Sequence, residues 1–283
     1  MFAVVFDWLV HHVTLHRWYG LLFVVGVLLR WQRPATNGTP FPGWLRLRGR
    51  NILLTYSLRP FGFQMEAALM ALLVPPLAPY GLLPHLPMPS WLQTVMGVLL
   101  LDLSFYFRHR LDHAVPVLWR IHRVHHSDPD VDVTTTAFSH PLAGPMRLLW
   151  QWLTIALLGI PTSATVLFLC TECYLSYFQH SPLRVELVDR LIRYCGVISP
   201  LDHRTHHSRD LPETDSNFGV LFNIWDRLLG TYRQNHASEI HCGLAEFDDP
   251  QWQTLYGLLI SPFRTLVRPM PDTQAEIETP HAA

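Results

Sequence analysis

Four apolar stretches stand out along the chain, at residues 18–29, 61–83, 91–107 and 146–178. A bilayer core needs about 20 helical residues, or somewhat fewer when flanking side chains reach the interface. None of the four is a clean span, since Pro75 and Pro76 interrupt the second and the sequence GIPTS at 159–163 interrupts the fourth. Together they exceed what one soluble bundle usually shows. We therefore predict an all-α integral membrane helical bundle, with a soluble, Trp-rich helical enzyme as the alternative.

The arginines between these stretches predict which side of the membrane each loop occupies. The segment 30–60 is crowded with basic residues, whereas 83–90 contains none; those of the first segment include Arg30, Arg33, Arg46, Arg48 and Arg50. Because cytoplasmic loops carry the excess of Arg, 30–60 is predicted to be cytoplasmic and 83–90 to lie outside. The third apolar stretch then returns the chain to the cytoplasm at 108–113.

The fourth apolar stretch must leave and re-enter on one face if the polar segments on either side of it form one site. A bend at Gly159–Pro161 allows this, since proline opens a second helix well. We predict a helical hairpin at 146–158 and 162–178. The predicted organisation is then N-terminal transmembrane segments (1–107), a histidine-motif catalytic region with its membrane hairpin at about 146–178 (108–249), and a C-terminal helix and disordered tail (250–283). Residues 108–145 and 180–249 should form a cytoplasmic helical cap.

Composition narrows the class of function. Charged residues make up 15% of the chain, well below the ~25% of an ordinary soluble domain, and the formal net charge is −1, so nothing favours nucleic acid as a partner. The 4 cysteines suggest no disulfide framework, and Cys170 and Cys173 are expected to be small buried residues. The exceptional count is 17 histidines, the commonest metal ligands among side chains.

Eight of these histidines lie in three short motifs: HRLDH at 109–113, HRVHH at 122–126 and HRTHH at 203–207. Residues i, i+3 and i+4 share one face of a helix. Each motif therefore directs two or three imidazoles to one side, as metal–nitrogen bonds of about 2.0–2.1 Å require. The predicted site residues are His109, His113, His122, His125, His126, His203, His206 and His207, with His180 as a ninth candidate.

Nine candidate ligands are too many for one ion, since zinc sites use three or four protein ligands. We predict a site for two metal ions, formed by neutral imidazoles, in which iron, zinc or copper could bind. Open coordination positions would remain for dioxygen. Nearby acids are expected to orient imidazole N–H groups: Asp112, Asp128, Asp202 and Asp226. Ion pairing with these acids or with lipid phosphate is expected of Arg110, Arg123 and Arg204. His140 is either a capping or orienting residue or a further ligand.

The other histidines give no cluster pattern, and we interpret them as ordinary surface residues: His11, His12, His16, His85, His236, His241 and His281. A lone histidine on a polar segment is more often a solvated side chain than a ligand. The metal prediction therefore depends on the three motifs and His180 alone.

The motifs in their order resemble the fatty acid hydroxylase / sterol desaturase superfamily: HRLDH, LWRIHRVHHSDPDVDVTT, QHS, SPLDHRTHHS and NFGVLFNIWDRLLGTY. The resemblance covers about 100–235. It implies a membrane di-iron oxygenase that uses O2 and an external reductant, with the eight motif histidines as the catalytic, iron-binding residues. Some members carry His-x-x-x-His before the last motif; here the sequence is SYFQH, so Ser176 stands where the partner of His180 would be.

This resemblance predicts hydroxylation of a C–H bond in a fatty acyl, sterol or ether lipid, with electrons from a redox partner protein or a reduced pterin. The chain is then expected in the bacterial inner membrane, or the endoplasmic reticulum if eukaryotic, with its metal site on the cytoplasmic side. Zinc could replace the two iron ions in purified protein. Three alternatives remain: a lipid desaturase of the same family, a dizinc lipid hydrolase, and a non-enzymatic metal- or lipid-binding membrane protein.

Overall fold

A computed structural model describes residues 41–56, 59–182, 185–235 and 240–266. These residues form helices, turns and two isolated bridges, and no β-strand occurs among them, which confirms the all-α class for this part of the chain. The α-helices are α1 (Phe41–Tyr56), α2 (Arg59–Leu77), α3 (Ser90–Ala114), α4 (Pro116–His126), α5 (Ala143–Leu158), α6 (Thr162–Gln179), α7 (Glu186–Tyr194), α8 (Pro200–His206), α9 (Leu211–Thr214), α10 (Ile224–Leu228) and α11 (Leu255–Ile260).

Helix α3 is the axis of the apolar half of the molecule. Helix α6 runs parallel to it, since Thr94 bonds Ser163 at 2.7 Å and, further along both helices, the ring of Phe105 lies 5.3 Å from that of Phe168. A Cβ at Gly97 would lie only 2.6 Å from Ala164 Cβ. Glycine therefore permits this close approach of the two helices.

Helix α5 runs antiparallel to α3 on another side. The hydroxyl of Thr154 bonds that of Ser104 at 2.9 Å, whereas Ile160, which follows α5, lies next to Gly97 two turns earlier on α3, 3.3 Å from where a Cβ at Gly97 would be. Because α5 is antiparallel and α6 parallel to α3, the segments that precede α5 and follow α6 both lie at the C-terminal end of α3. That end carries the first histidine motif.

The turn between α5 and α6 occurs where the glycine and proline of the apolar stretch predict a bend. Gly159 ends α5 in the left-handed conformation, with φ of 64°, and Pro161 directly precedes the first residue of α6. A side chain at Gly159 would meet Pro84 at 2.5 Å, so the turn is packed against the 83–85 segment. The location of this hairpin in a membrane remains a prediction.

Two apolar cores hold the described residues together. The first lies among α3, α5 and α6 and includes Leu101, Phe105, Trp152 and Phe168. The second lies under the polar segments and joins α1, α4 and the C-terminal part through Leu54, Val124, Phe138, Phe247 and Leu258. The C-terminal helix of the prediction is short, α11, and the predicted tail from 267 onward lies outside the described residues.

Residues 41–56 belong to the segment 30–60, which the arginine pattern predicts to be a cytoplasmic loop. They form helix α1, in which Arg48 is 3% exposed and contacts Asp128, Asp130 and Asp132 at 2.9–3.1 Å. The carboxylates of the HHSDPDVD stretch, 80 residues further along the chain, neutralise this arginine. Its charge therefore serves an internal ion-pair cluster and carries no information about membrane sidedness.

One helix among the described residues is long and apolar enough to cross a membrane, Ser90–Ala114. The four apolar stretches predict a larger bundle. The first stretch, 18–29, lies outside the described residues. Helix α5, with 16 residues, is shorter than a full span, and α6 is less apolar than a span requires. The bilayer-facing bundle and the cytoplasmic cap are therefore not established by the helices alone. Large apolar side chains do face outward from α3, α5 and α6, among them Trp91, Leu157 and Leu167.

Candidate metal centre

Four elements bring the predicted ligands to the polar end of α3. His109 and His113 project from its last two turns, and the extended residue Val115 then turns the chain into α4, which carries His122, His125 and His126. His180 follows the last residue of α6, and α8 carries His203 and His206. Helix α8 ends at His207 and begins with a capping box between Ser199 and Asp202, which fixes where this short helix starts.

The nine predicted histidines converge into two adjoining groups. One group contains His109, His113, His122, His126 and His206, and the other contains His125, His180, His203 and His207. Within each group every residue offers a ligand nitrogen within 4.8 Å of all the others. The groups touch, since the rings of His126 and His207 lie 4.5 Å apart and those of His125 and His126 5.5 Å apart. Three separate motifs and His180 thus form one continuous imidazole cluster.

Distances between ring nitrogens match the spacing of ligands on a shared ion. His122 Nε2 lies 3.2 Å from His109 Nε2 and 3.1 Å from His126 Nε2, and His203 Nε2 lies 3.0 Å from His180 Nε2. Two nitrogens each about 2.0–2.1 Å from one metal would be about 2.9–3.4 Å apart in octahedral or tetrahedral geometry. The donor set therefore fits metal ions.

Backbone carbonyls set the tautomer of four of these rings. The Nδ1 atoms of His109, His125, His180 and His206 donate to the carbonyls of Phe218, Phe138, Ser176 and Ser216, at 2.7–3.0 Å. A ring that donates through Nδ1 presents its Nε2 lone pair, and the hydrogen bond fixes the ring's rotation. His113 is held instead by a carboxylate, with Nδ1 3.1 Å from Asp215 Oδ1.

The cluster favours neutral rings. Burial lowers the pKa of His122, His126, His206 and His207 well below the ordinary histidine value, and the neighbouring imidazoles lower it further. Metal ligands must be unprotonated to offer a lone pair. These neutral rings can therefore act as ligands of metal cations.

Several buried ring nitrogens have no hydrogen-bond partner among the described residues: His113 Nε2, His126 Nδ1, His203 Nδ1, His206 Nε2 and both nitrogens of His207. A buried polar atom left unpaired costs about 1–3 kcal/mol. Six such atoms in one cluster would lower the stability of the folded protein considerably if they had no ligand to bind. Coordination would satisfy those that face an ion, and this is a second reason that the residues fit metals.

The loop after α9 supplies two of the orienting carbonyls, and Asp226 organises it. Its carboxylate accepts from the backbone N–H groups of Phe218 and Gly219, both at 2.8 Å, and from the Thr231 hydroxyl at 2.7 Å. Asn217 adopts a positive φ of 52° and donates to Asp202 O and Arg233 O. Asp226 thus acts on His109 through the position of the Phe218 carbonyl.

A second buried carboxylate ties the same loop to the apolar half of the protein. Asp102, in the middle of α3, accepts from Leu221 N at 2.8 Å, Phe222 N at 3.2 Å and the indole of Trp225 at 2.7 Å. The loop that orients His109 and His206 is therefore anchored on the helix that carries His109.

The prediction that four acids orient the imidazoles is wrong. Asp112 pairs with Arg108, Asp128 with Arg48, Asp202 with Ser199 and Tyr232, and Asp226 with loop N–H groups. Carbonyl oxygens and Asp215 make the contacts to the histidines. Carbonyls are present at every residue, so the sequence carries no signal for them.

The arginines beside the motifs also differ from expectation, since two of them bond carbonyl oxygens. Arg123 Nη2 donates to Ser261 O and Arg264 O, and Arg204 Nη2 donates to Val131 O. They thereby fasten other segments to α4 and α8. Arg110 is exposed.

His140 lies outside both groups. One ring nitrogen bonds Leu259 O at 3.1 Å, and the other accepts from Leu142 N, at the start of α5, at 3.2 Å. Both ring nitrogens are used, so this residue caps and joins segments. Of the histidines interpreted as surface residues, His85 and His241 are exposed, and the others lie outside the described residues.

Comparison with known proteins identifies the segment that carries this cluster. Residues 94–231 match the family model described as fatty acid hydroxylase. An ornithine lipid hydroxylase from Rhizobium tropici is 30% identical over 146 residues, 51% of this chain and 43% of the relative. Human alkylglycerol monooxygenase is 26% identical over 54% of this chain and 32% of the relative, and human cholesterol 25-hydroxylase 29% over 48% and 49%. The matches thus span less than half of each relative. No solved structure gives a significant match.

Proposed function

We propose that this chain is a membrane-bound oxygenase that hydroxylates a C–H bond of a lipid, because residues 94–231 match the fatty acid hydroxylase family model. The reaction would use O2, two iron ions held by the nine clustered histidines, and electrons from an external reductant. The observation that carries the proposal is the pair of adjoining imidazole groups inside the family segment.

Iron, when bound, would supply the activation of O2 and the cleavage of the C–H bond, which no side chain can perform alone. The chain's own residues contribute position and environment. The Phe218, Ser216, Phe138 and Ser176 carbonyls fix four rings with Nε2 directed inward. Burial excludes water from the imidazoles, and nitrogen ligands without charge leave the ions electron-poor and positively charged.

The composition of the two groups argues against the hydrolase alternative. Both contain histidine alone, among the residues that the structure describes. Two-metal hydrolysis needs a metal-bound water between the ions and is commonly supported by bridging carboxylates. Asp128, Asp202 and Asp226 are all committed to other partners, so none of these three carboxylates is placed to bridge.

Lipids are the proposed substrate class because the relatives' names specify an ornithine lipid, an alkylglycerol and cholesterol. These molecules share long apolar parts and differ in their polar groups. Hydroxylation is favoured over desaturation because each of those names is that of a hydroxylase or monooxygenase. Electrons would come from a redox partner protein or a reduced pterin.

Membrane insertion of α3 is part of the proposal. The histidines occupy its last turns, and α5 and α6 return the chain to the same end, so the metal site would lie at one surface of the membrane. We propose that this surface is the cytoplasmic one. The lipid would then reach the metals from the bilayer without crossing a polar medium. The cap would consist of the polar segments around the histidines.

The test is metal analysis and product analysis on one preparation. Protein purified without oxygen should contain about two iron ions per chain, as the nine ligands predict. Membranes with the protein, a reductant and ¹⁸O2 should yield a lipid that gains one labelled oxygen atom. A lipid lighter by two hydrogens would indicate desaturation. Hydrolysis without O2 by a zinc-containing protein would contradict the proposal.

A matched pair of variants assigns the result to the cluster. His125→Ala removes a ligand from the second group, and it should abolish product and lower iron content while the protein stays in the membrane. His140→Ala removes a buried histidine of the same size outside both groups, and it should keep both. Full turnover by His125→Ala would exclude this residue from the site.

A further inference from the structure

A cavity of about 560 Å³ lies on the other side of α8 from the metal groups. Leu201 lines it, whereas His203 and His206 of the same helix belong to the imidazole cluster. Three guanidinium groups reach this cavity, those of Arg190, Arg193 and Arg227. No histidine is among its lining residues, so the cavity is separate from the proposed metal centre.

Three arginines and one glutamate line this cavity, and the carboxylate of Asp202 lies 3.9 Å from one of the arginines, Arg193. Arg193 donates through Nε to Asp189 O, and its buried Nη1 has no hydrogen-bond partner, with Asp202 Oδ1 3.9 Å away. The guanidinium of Arg227 stacks on the Tyr232 ring at 4.1 Å, which fixes its position. Arg190 pairs with Glu186, and both are largely exposed.

A phosphate group suits this arrangement. Guanidinium groups bind phosphate oxygens through paired, charge-assisted hydrogen bonds. Arg193 Nη1 has no hydrogen-bond partner, since Asp202 Oδ1 lies 3.9 Å away, and Arg227 is held in place by stacking and by its bond to Asn223. The one carboxylate that lines the cavity, Glu186, is paired with Arg190.

The surface beside the cavity is apolar. Leu187, Leu191 and Tyr194 lie at i, i+4 and i+7 of α7 and are 63%, 55% and 90% exposed. The opposite face of this helix buries Asp189, which accepts from Leu201 N. Helix α7 therefore turns its apolar stripe outward, with arginines at the edge of the stripe, as interfacial helices do on anionic membranes.

The neighbouring helix α10 extends this surface towards the proposed membrane span. Leu228 is 69% exposed, and Trp225, one turn before, bonds Asp102 in the middle of α3. The apolar stripe and the basic cavity thus lie beside the helix that would cross the bilayer.

We propose that this cavity binds the phosphate of an anionic membrane phospholipid, while the stripe of Leu187, Leu191 and Tyr194 lies in the interfacial layer beside it. The inference rests on the membrane insertion in the proposed function, but not on the metals or the reaction. It assigns Arg193 and Arg227 to the phosphate and Leu187 and Leu191 to the apolar part of the lipid. The bound lipid would fix the cap against the membrane surface.

The test measures binding of dioctanoyl phosphatidylglycerol to the full chain in a neutral detergent, by native mass spectrometry. The comparison ligands are dioctanoylglycerol, which lacks the phosphate, and inorganic phosphate. Wild type should prefer the phospholipid to dioctanoylglycerol by at least about tenfold, as two or more charge-assisted hydrogen bonds would give. Inorganic phosphate should compete but bind more weakly.

Two basic variants and one control assign the charge. Arg227→Gln and Arg193→Gln should each weaken phospholipid binding, and the pair together by at least about tenfold. The exposed Arg209, which pairs with Asp248 elsewhere on the protein, gives the control Arg209→Gln, which should bind as wild type does. Equal binding by Arg227→Gln and wild type, where the residue is exposed and the fold is not at risk, would overturn the proposal.

A third variant tests the apolar stripe. Leu187→Ser/Leu191→Ser should weaken phospholipid binding and leave the binding of inorganic phosphate unchanged. Phosphate alone binding as tightly as the phospholipid would indicate a free-phosphate site. If wild type were a dimer and this variant a monomer with unchanged phospholipid binding, the stripe would be a contact between two copies of the chain. Either of these two results would overturn the proposal. Iron content, measured on every sample, keeps this test independent of the proposed function.

Discussion

Removal of Arg48 should destabilise the protein more than any exposed charge can. Its side chain is 3% exposed and lies 2.9–3.1 Å from three carboxylates that are themselves 0–3% exposed. In Arg48→Met these carboxylates lose their counter-charge but stay buried. The cluster connects α1 to the residues directly after His125 and His126, so its loss also loosens one side of the metal site.

The magnitude follows from the burial of the cluster. Removing one partner of a buried ion pair costs about 3–5 kcal/mol, because the remaining charge is left uncompensated. For a chain of this size each kcal/mol lowers the melting temperature by about 2–4 °C. Arg48→Met should therefore melt roughly 6–20 °C below wild type. Asn51 and Thr135 still donate to Asp128 and limit the loss.

The assay is thermal unfolding in detergent with two companion variants. Arg46→Met removes an exposed arginine from the same helix and should change stability by less than about 0.5 kcal/mol. Arg48→Lys keeps the charge but loses the planar fork, so its melting temperature should fall between those of wild type and Arg48→Met.

The acidity of the cluster gives a further check. Burial raises the pKa of Asp132 although Arg48 opposes the shift. Without Arg48 this carboxyl should take up a proton more easily still, so the deficit of Arg48→Met should shrink as pH falls from neutral towards 5. Equal melting temperatures of the Arg48→Met and Arg46→Met proteins at neutral pH would refute the reasoning.

Other substitutions separate orientation, packing and metal binding. Asp226→Asn should lower iron content, activity and melting temperature, read by metal analysis and thermal unfolding, because it loosens the loop that orients His109. Gly159→Ala should cost about 1–3 kcal/mol in thermal unfolding, since its φ of 64° and the contact with Pro84 both oppose a side chain. His140→Ala should lower the melting temperature at full iron content; loss of iron would contradict its capping role. A chelator should lower the wild-type melting temperature, and added Fe²⁺ should restore it.

Helical spacing was sufficient to predict that these histidines converge, and it was insufficient to predict how they are arranged. Residues i, i+3 and i+4 must share a face, so each motif had to direct its rings together, and the structure does place them together. Their division into two groups was not predictable, because His206 and His207 are adjacent in sequence yet belong to different groups. One residue of a helix is 100° of rotation, enough to direct neighbouring side chains into different groups.

Long-range partners explain the wrong predictions. Arg48 resembled a cytoplasmic loop arginine because its carboxylates lie 80–84 positions away, and a local pattern cannot join them. The acids near the motifs suggested partners for imidazole N–H groups, but carbonyls of the 216–218 loop and of Phe138 were nearer. The bend at 159–161 depends on glycine and proline, whose backbone preferences are local, and there the helices end where the sequence indicates.

The histidines that would bind iron also limit the stability of the polar half of the fold when no metal is bound. Helix α8 has seven residues, of which His203 and His206 point into the cluster and Asp202 caps its start. Helix α4 has eleven residues and three of these histidines. Isolated helices of such length are marginal in water, and here their inward faces are imidazoles that hydrophobic burial rewards little. Ions shared among α3, α4, α6 and α8 would connect these helices as an apolar core does elsewhere. Metal loading and assembly of the polar half are therefore expected to be one event.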